Sequence, residues 1–293
     1  MNRLLTELDH VMLAVHDHAN AVAAWQRLGF TVRPVRQLVP MGGGAAGGNG
    51  GSAAVLLHAA APGCANFIEL AMADPTTAAP ALKTLLRGPE GVALLVHATP
   101  DPQALAQDWS ARGWRCQSIR MNLPPMGAGE PVQVDIVLPE PGSTPLAFNA
   151  MRMSSTADFE RDEWRSHPNS ARRWSGIVYV ETAAQMLRTR ALLQSLYGEP
   201  GQPDVNDGWT FRPGNVALTL MTDAAFIARF GDVADSSVRS RPSGALLSFE
   251  VDALDRARAH LNAHHVAHAD RGDAILIAAA QVLGVAIELR GPR

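Results

Sequence analysis

The sequence predicts an α+β fold of four βαβββ modules, taken in two pairs with a mixed sheet in each. Three observations predict it. A strand, a helix and three further strands recur four times along the 293 residues. The interval from His10 to Gly29 equals that from Leu94 to Gly113, which sets the first two copies in one register. A polar stretch with little periodicity, SSTADFERDEWRSHPNSARRW, lies after the second copy. Repetition of this kind outweighs any single motif in assigning a fold.

The first copy opens with LDHVMLAV (Leu8 to Val15), an apolar run of strand length. Asp17 then leads a helical pattern, AVAAWQRLG, which Gly29 is placed to stop. FTVRPV, SAAVLLHA and NFIELAMA supply three more strands. In the second copy the order is GVALLVHAT, a helix led by Asp101 and running through Trp109, then WRCQSI, VQVDIVL and TPLAFNAM. A third begins at GIVYVE, continues in a helix ending near Tyr197 and Gly198, and has strands at GWTFR and NVALTLM. The fourth reads GALLSFEVD, ALDRARAHLNA, HHVAHA, DAILIAA and VAIELR. The polar stretch places a domain boundary near residue 160, giving domains at 1–160 and 161–293, each long enough to bury a core.

Composition narrows the function. Charged residues are 18% of the chain, the formal net charge is −3, and the densest basic cluster, Arg161 to Arg173, is interleaved with acids. That pattern argues against a nucleic-acid groove or an anionic membrane patch. No apolar run reaches the roughly 18 residues of a spanning helix, and Glu7, Asp9 and His10 interrupt the N-terminus before signal-peptide length. Cys64 and Cys116, without CxxC spacing, suit a reducing, cytoplasmic location. Met41 to Ser52 holds seven glycines but neither GxGxxG nor GxxxxGK[ST], so it reads as a loop over a pocket, and no nucleotide is expected.

The candidate chemistry lies in the first copy. In a strand the even positions His10, Met12 and Ala14 share one face, so His10 can point into the concave side of a curled sheet. Glu69, between Ile68 and Leu70, needs a cation or a donor if it is to stay ionised in an apolar setting. An imidazole and a carboxylate from two strands make half of a divalent-metal site, and they also suit a mutual hydrogen bond. Leu94, the second-copy counterpart of His10, cannot ligate, while His97 falls on the opposite face. His167 is a third candidate ligand; HPN also reads as a turn, with Asn169 or Ser170 capping the next element. His16 and His18 flank the helix-capping Asp17, and His264, His265 and His268 sit at a helix end where cations meet the dipole favourably.

LDHVMLAVHD with its helix and LGFTV, then ANFIEL, resembles the first module of glyoxalase-like proteins of the vicinal-oxygen-chelate superfamily. EWRSHPNSARRWSGIVYVE, LTLMTDAAFIARFGD and LSFEVDALDRARAHL followed by LGVAIEL resemble, in order, a four-module bacterial branch of it. The resemblance implies paired modules forming a cup, metal ligands on first and fourth strands, and substrates whose adjacent oxygens chelate the ion. Carried over, His10 and Glu69 match ligand positions; Leu94 does not; and Phe148 to Ser154 offers Asn149, Met151 and Ser154 for the remaining one. The implied function is a metal-dependent lyase, isomerase or ring-cleaving dioxygenase acting on a small molecule, with a divalent ion (Zn, Fe, Mn or Ni) and with Glu69 as a catalytic base when it detaches. Extradiol cleavage is disfavoured because those enzymes carry their ligands in the second pair. A metal-free binding or sequestering protein of the bleomycin-resistance type is the alternative. In the second pair Tyr179 and Ala245 stand opposite His10, and only Glu288 echoes Glu69, so that pair is expected to be a metal-free scaffold or a homodimer surface.

Overall fold

The computed structural model describes residues 4–36, 51–59, 61–72, 80–86, 88–123, 130–140, 142–204, 208–234 and 243–292. The glycine-rich stretch before Gly51 lies outside them. The first module is β1 (Glu7–Ala14), α1 (His18–Arg27), β2 (Arg33–Arg36), β3 (Gly51–Leu56) and β4 (Phe67–Met72). After α2 (Pro80–Leu86) come β5 (Gly91–Ala98), α3 (Pro102–Ala111), β6 (Cys116–Leu123), β7 (Val132–Pro139) and β8 (Phe148–Met153). Helix α4 (Asp162–Arg165) lies in the segment leading to the third module, β9 (Ala171–Val180), α5 (Ala183–Tyr197), β10 (Gln202–Asp204), β11 (Gly208–Phe211) and β12 (Ala217–Met221). Helix α6 (Asp223–Phe230) precedes the fourth, β13 (Ser243–Val251), α7 (Leu254–Ala263), β14 (Ala269–Asp270), β15 (Ala274–Ile277) and β16 (Ala286–Arg290).

Each pair of modules forms one eight-stranded mixed sheet. Sheet A runs β2-β3-β4-β1-β5-β8-β7-β6 and sheet B runs β10-β11-β12-β9-β13-β16-β15-β14. Within a module the first and fourth strands pair in parallel; between modules the two first strands pair antiparallel. The two halves of a sheet are thus related about the central seam, and sheet A curls into a cup. Local chemistry sets the helices as expected. Asp17 and Asp101 accept from the amides of Asn20 (3.0 Å) and Ala104 (2.9 Å), and Thr182 and Gln185 form a capping box on α5.

Four elements depart from the sequence reading. HHVAHA is not a strand: His264 caps α7, His265 adopts φ 52°, and only Ala269–Asp270 pairs with β15. Helices α2 and α6 fill joints between modules, and the short β10 edges sheet B. The helix-bearing faces of both sheets meet in one continuous core, which holds Trp25, Trp109, Leu13 and Ile68 together with Trp174, Tyr179, Leu247 and Phe249. Residues 154–170, where the boundary near residue 160 was expected, join the two sheets.

Gly29 and Gly113 follow α1 and α3 at φ +87° and +84°, the left-handed conformation glycine tolerates best. Their surroundings differ. A Cβ on Gly113 would meet nothing within 4 Å, whereas one on Gly29 would lie 2.7 Å from His260 of the fourth module and 2.8 Å from Asn169 of the joining segment. Gly113→Ala should therefore lose only about 1–2 kcal/mol, the cost of left-handed backbone. Gly29→Ala should lose a further 1–3 kcal/mol or so from overpacking. Urea denaturation of the two variants checks the difference; equal losses would mean that the contact across the joint is soft.

Candidate functional site

His10 reaches the concave face of sheet A through an irregularity in β1. Leu8 pairs with His97 and His10 with Val96, so Asp9 is an extra residue between them, a bulge. Bulges re-aim side chains. Leu8, Val11 and Leu13 pack in the shared core, while His10, Met12 and Ala14 face the cup. The bulge also lets Asp9, which simple alternation puts on the other face, turn toward its neighbour: Asp9 Oδ1 lies 2.7 Å from His10 Nδ1. The other oxygen, Oδ2, accepts from the Ala65 amide at 2.9 Å. With Asp9 ionised, His10 carries its proton on Nδ1 and turns the Nε2 lone pair into the cup.

That nitrogen lies 3.7 Å from Glu69 Oε2, too long for a hydrogen bond and short enough for two donors to share one cation. Burial holds the Glu69 carboxyl above the ordinary carboxylate range, against the opposing pull of His10 and the Ser52 hydroxyl. Phe67, which pairs with His10 across the ladder, stacks on the imidazole at 4.0 Å, and Phe159 packs on Phe67 at 5.1 Å. Met12, Leu94, Val96, Met151 and Met153 complete an apolar wall.

The ladders also assign the counterparts. Val15 donates to Ala71 and Thr99 to Met151, so Glu69 corresponds to Asn149 as His10 does to Leu94. Asn149 is buried on the cup face between module halves, and its Oδ1 has no hydrogen-bond partner among the described residues. In sheet B, Glu181 donates to Met221 and Ser248 pairs with Glu288. The positions matching His10 are therefore Gly176 and Leu246, not Tyr179 and Ala245; counting from strand ends misplaces them, and Tyr179 lies in the shared core. The position matching Glu69 in the third module is Thr219, and Glu288 does match it in the fourth.

His167 stands apart from the pair. Its Nδ1 accepts from the Thr31 amide at 2.9 Å and its Nε2 donates to the Leu56 carbonyl at 2.8 Å. Both ring nitrogens are committed, and burial lowers its pKa to about 4. In this arrangement the residue is a neutral strut tying the joining segment to β3, with no lone pair left for an ion. The turn reading fits its neighbours: Asn169 Oδ1 caps the Ala171 amide and Ser170 adopts φ 59°. His97 is also structural, donating to Asn149 O (3.1 Å) and accepting from Tyr197 OH (2.8 Å) across the core. Among the described residues no group of three or more His, Cys, Asp or Glu side chains could hold a metal ion.

A family model described as a glyoxalase-like domain matches residues 8–196. The chain belongs to the glyoxalase-like family. It is thereby a vicinal-oxygen-chelate protein, and solved structures share the fold along the whole chain. A hypothetical protein from Staphylococcus aureus superposes with a TM-score of 0.62 at 7% identity, covering 98% of this chain and 99% of that one. A mutant of 4-hydroxymandelate synthase from Streptomyces coelicolor gives 0.56 at 15% identity, covering 98% and 93%. A xylose isomerase-like TIM barrel/4-hydroxyphenylpyruvate dioxygenase fusion protein gives 0.57 at 16%, covering 98% of this chain and 48% of that chain. Comparison with curated proteins found no match. No helix among the described residues of this glyoxalase-like chain is long and apolar enough to cross a membrane.

Proposed function

We propose that the cup of sheet A binds a small organic molecule beside a divalent cation held by His10 and Glu69, with Asn149 Oδ1 as the third protein donor. The observation that carries this reading is the His10–Glu69 pair itself: two donor atoms 3.7 Å apart, one on an imidazole already oriented by Asp9. A carboxylate on the far side of a ligand histidine is the usual support for such a ligand. Asn149 supplies a buried oxygen that lacks any other partner among the described residues, at the seam-related position. One nitrogen and two oxygens suit Zn, Fe, Mn or Ni and leave coordination positions open. When bound, such an ion would polarise a carbonyl or stabilise an enediolate, the chemistry of lyases, isomerases and dioxygenases.

This chain's own residues supply the rest. Asp9 fixes the tautomer of His10. Glu69, its proton affinity raised by burial, is the group in the cup suited to take a proton from a substrate when it is not bound to the ion. The apolar wall of Met12, Phe67, Leu94, Val96 and Met151 excludes water from the reacting carbon. On this reading the two sheets are domains dividing near residue 160, and the protein works in a reducing, cytoplasmic compartment, which suits its two free cysteines.

A second reading, a metal-free binding protein, is favoured by Leu94, which replaces a ligand with a hydrocarbon. Metal content of protein purified without chelator separates the two. Near-stoichiometric metal is expected, and His10→Ala should lose it while unfolding remains cooperative, because the ion is added to an already packed cup. Undiminished metal in that variant would remove His10 from the site and with it the proposal.

A further inference from the structure

Sheet B has a cup of its own, with a cavity of about 500 Å³ on the concave face, within the size range of small-molecule sites. Its chemistry is opposite to that of the cup in sheet A. At the positions matching His10 and Glu69 it carries Gly176, Thr219, Leu246 and Glu288. The one carboxylate among these is already neutralised: Glu288 Oε2 accepts from Ser248 Oγ at 2.7 Å and from Arg290 Nε at 2.8 Å. A cation would have to displace a guanidinium to bind there.

The remaining charges on the cavity wall pair in the same way, Arg173 with Glu250 at 2.7 Å and Arg229 with Asp204 at 3.2 Å. Arg212 also lines the cavity and has no hydrogen bond or ion pair among the described residues. Among the described residues the wall therefore holds four guanidinium groups to three carboxylates. Its hydroxyls have mostly spent their protons within the protein: Ser175 donates to Ser248 O, Ser248 to Glu288, and Thr210 and Thr219 share one hydrogen bond. What they still present is acceptor lone pairs, and the paired carboxylates present more. A ligand matching this wall carries one anionic group for Arg212 and a body rich in hydroxyl donors.

We propose that the cup of sheet B is a second, metal-independent binding site, for a small polyhydroxylated anion of the sugar-acid or sugar-phosphate class. The anionic head pairs with Arg212, and the hydroxyls donate to Ser175, Thr210 and the wall carboxylates. The site is separate from the His10–Glu69 cup and does not depend on the function proposed for it.

Calorimetric titration of the full chain with gluconate and with glucose 6-phosphate tests the proposal and tells a carboxylate head from a phosphate head. Saturable binding of at least one is expected, with glucose and inorganic phosphate each weaker by about tenfold or more, since each lacks half of the match. Arg212→Ala, an exposed substitution that leaves the core untouched, should weaken the anion by about tenfold or more, the usual scale for losing a charge-assisted hydrogen bond. Arg212→Lys should restore part of that loss, and His10→Ala should leave anion binding unchanged. The proposal is overturned if neither anion binds, if glucose binds as well as the anions, if Arg212→Ala binds as the parent does, or if His10→Ala abolishes binding.

Discussion

Phe249→Ala is expected to destabilise the whole molecule by about 3–5 kcal/mol, the cost of emptying a large buried aromatic site. Phe249 is fully buried on β13, yet its ring contacts belong to the other sheet's module: Trp25 at 6.1 Å and Phe30 at 5.0 Å. Such aromatic pairs contribute roughly 0.5–1.5 kcal/mol beyond area alone. Because the core is shared, the loss should appear as one cooperative transition moved to lower denaturant, with tryptophan fluorescence and far-UV circular dichroism coincident. Leu187→Ala, at a side chain 65% exposed on α5, should by contrast change stability within about 0.5 kcal/mol. Two transitions, with only the later modules shifted, would show that the sheets hold separate cores in solution.

The shared core bears on what could be read from the sequence. Local signals were legible: the caps Asp17 and Asp101, the stops at Gly29 and Gly113, and most of the strand patterns fall where the periodicity puts them, HHVAHA being the exception. So was the facing of His10, Met12 and Ala14, because period-2 alternation survives inside β1. Asp9 was not legible as a partner of His10, since alternation assigns neighbours to opposite faces and a bulge leaves no mark in composition. The one available signal was a carboxylate beside Leu8 in a strand too apolar to leave it unpaired. For His167 the turn chemistry of HPN was the better guide than its metal-binding potential, because the ring is used up by two backbone groups 136 and 111 residues away in the chain.

The second cup was hidden for a different reason. Its arginines and carboxylates are scattered over β9, β10, the turn after β11, α6, β13 and β16, and only the ladder brings Arg173 beside Glu250 and Glu288 beside Ser248. Read along the chain, Glu288 is a lone acid; read across the sheet, it is the neutralised floor of a polar cavity. The two cups thus share one geometry and differ in what the equivalent positions carry. The first pairs an oriented imidazole with an acid that lacks a close counter-ion, and the second pairs every acid on its wall with a guanidinium. Placement of ligands on a repeated scaffold is decided by such substitutions rather than by the fold.

Asp9→Asn should lower the affinity of the sheet A cup for a divalent ion by about 10–100-fold, the range seen when the partner of a ligand histidine is altered. The effect depends on which atoms the amide can present. Ala65 N–H donates to one Asp9 oxygen, so the new side chain must keep its carbonyl there and direct its NH2 toward His10 Nδ1. An NH2 facing Nδ1 requires that nitrogen to accept, which moves the imidazole proton to Nε2, the atom that faces Glu69. His10 is then the wrong tautomer to bind an ion, although the substitution removes no volume and keeps the bond to Ala65. Nitrogen-15 shifts of the imidazole should report the proton on Nε2, and isothermal titration with Zn or Mn should report the weakened site. A changed tautomer with undiminished affinity would mean that His10 does not ligate, and that its pairing with Asp9 serves only to pack the bulge.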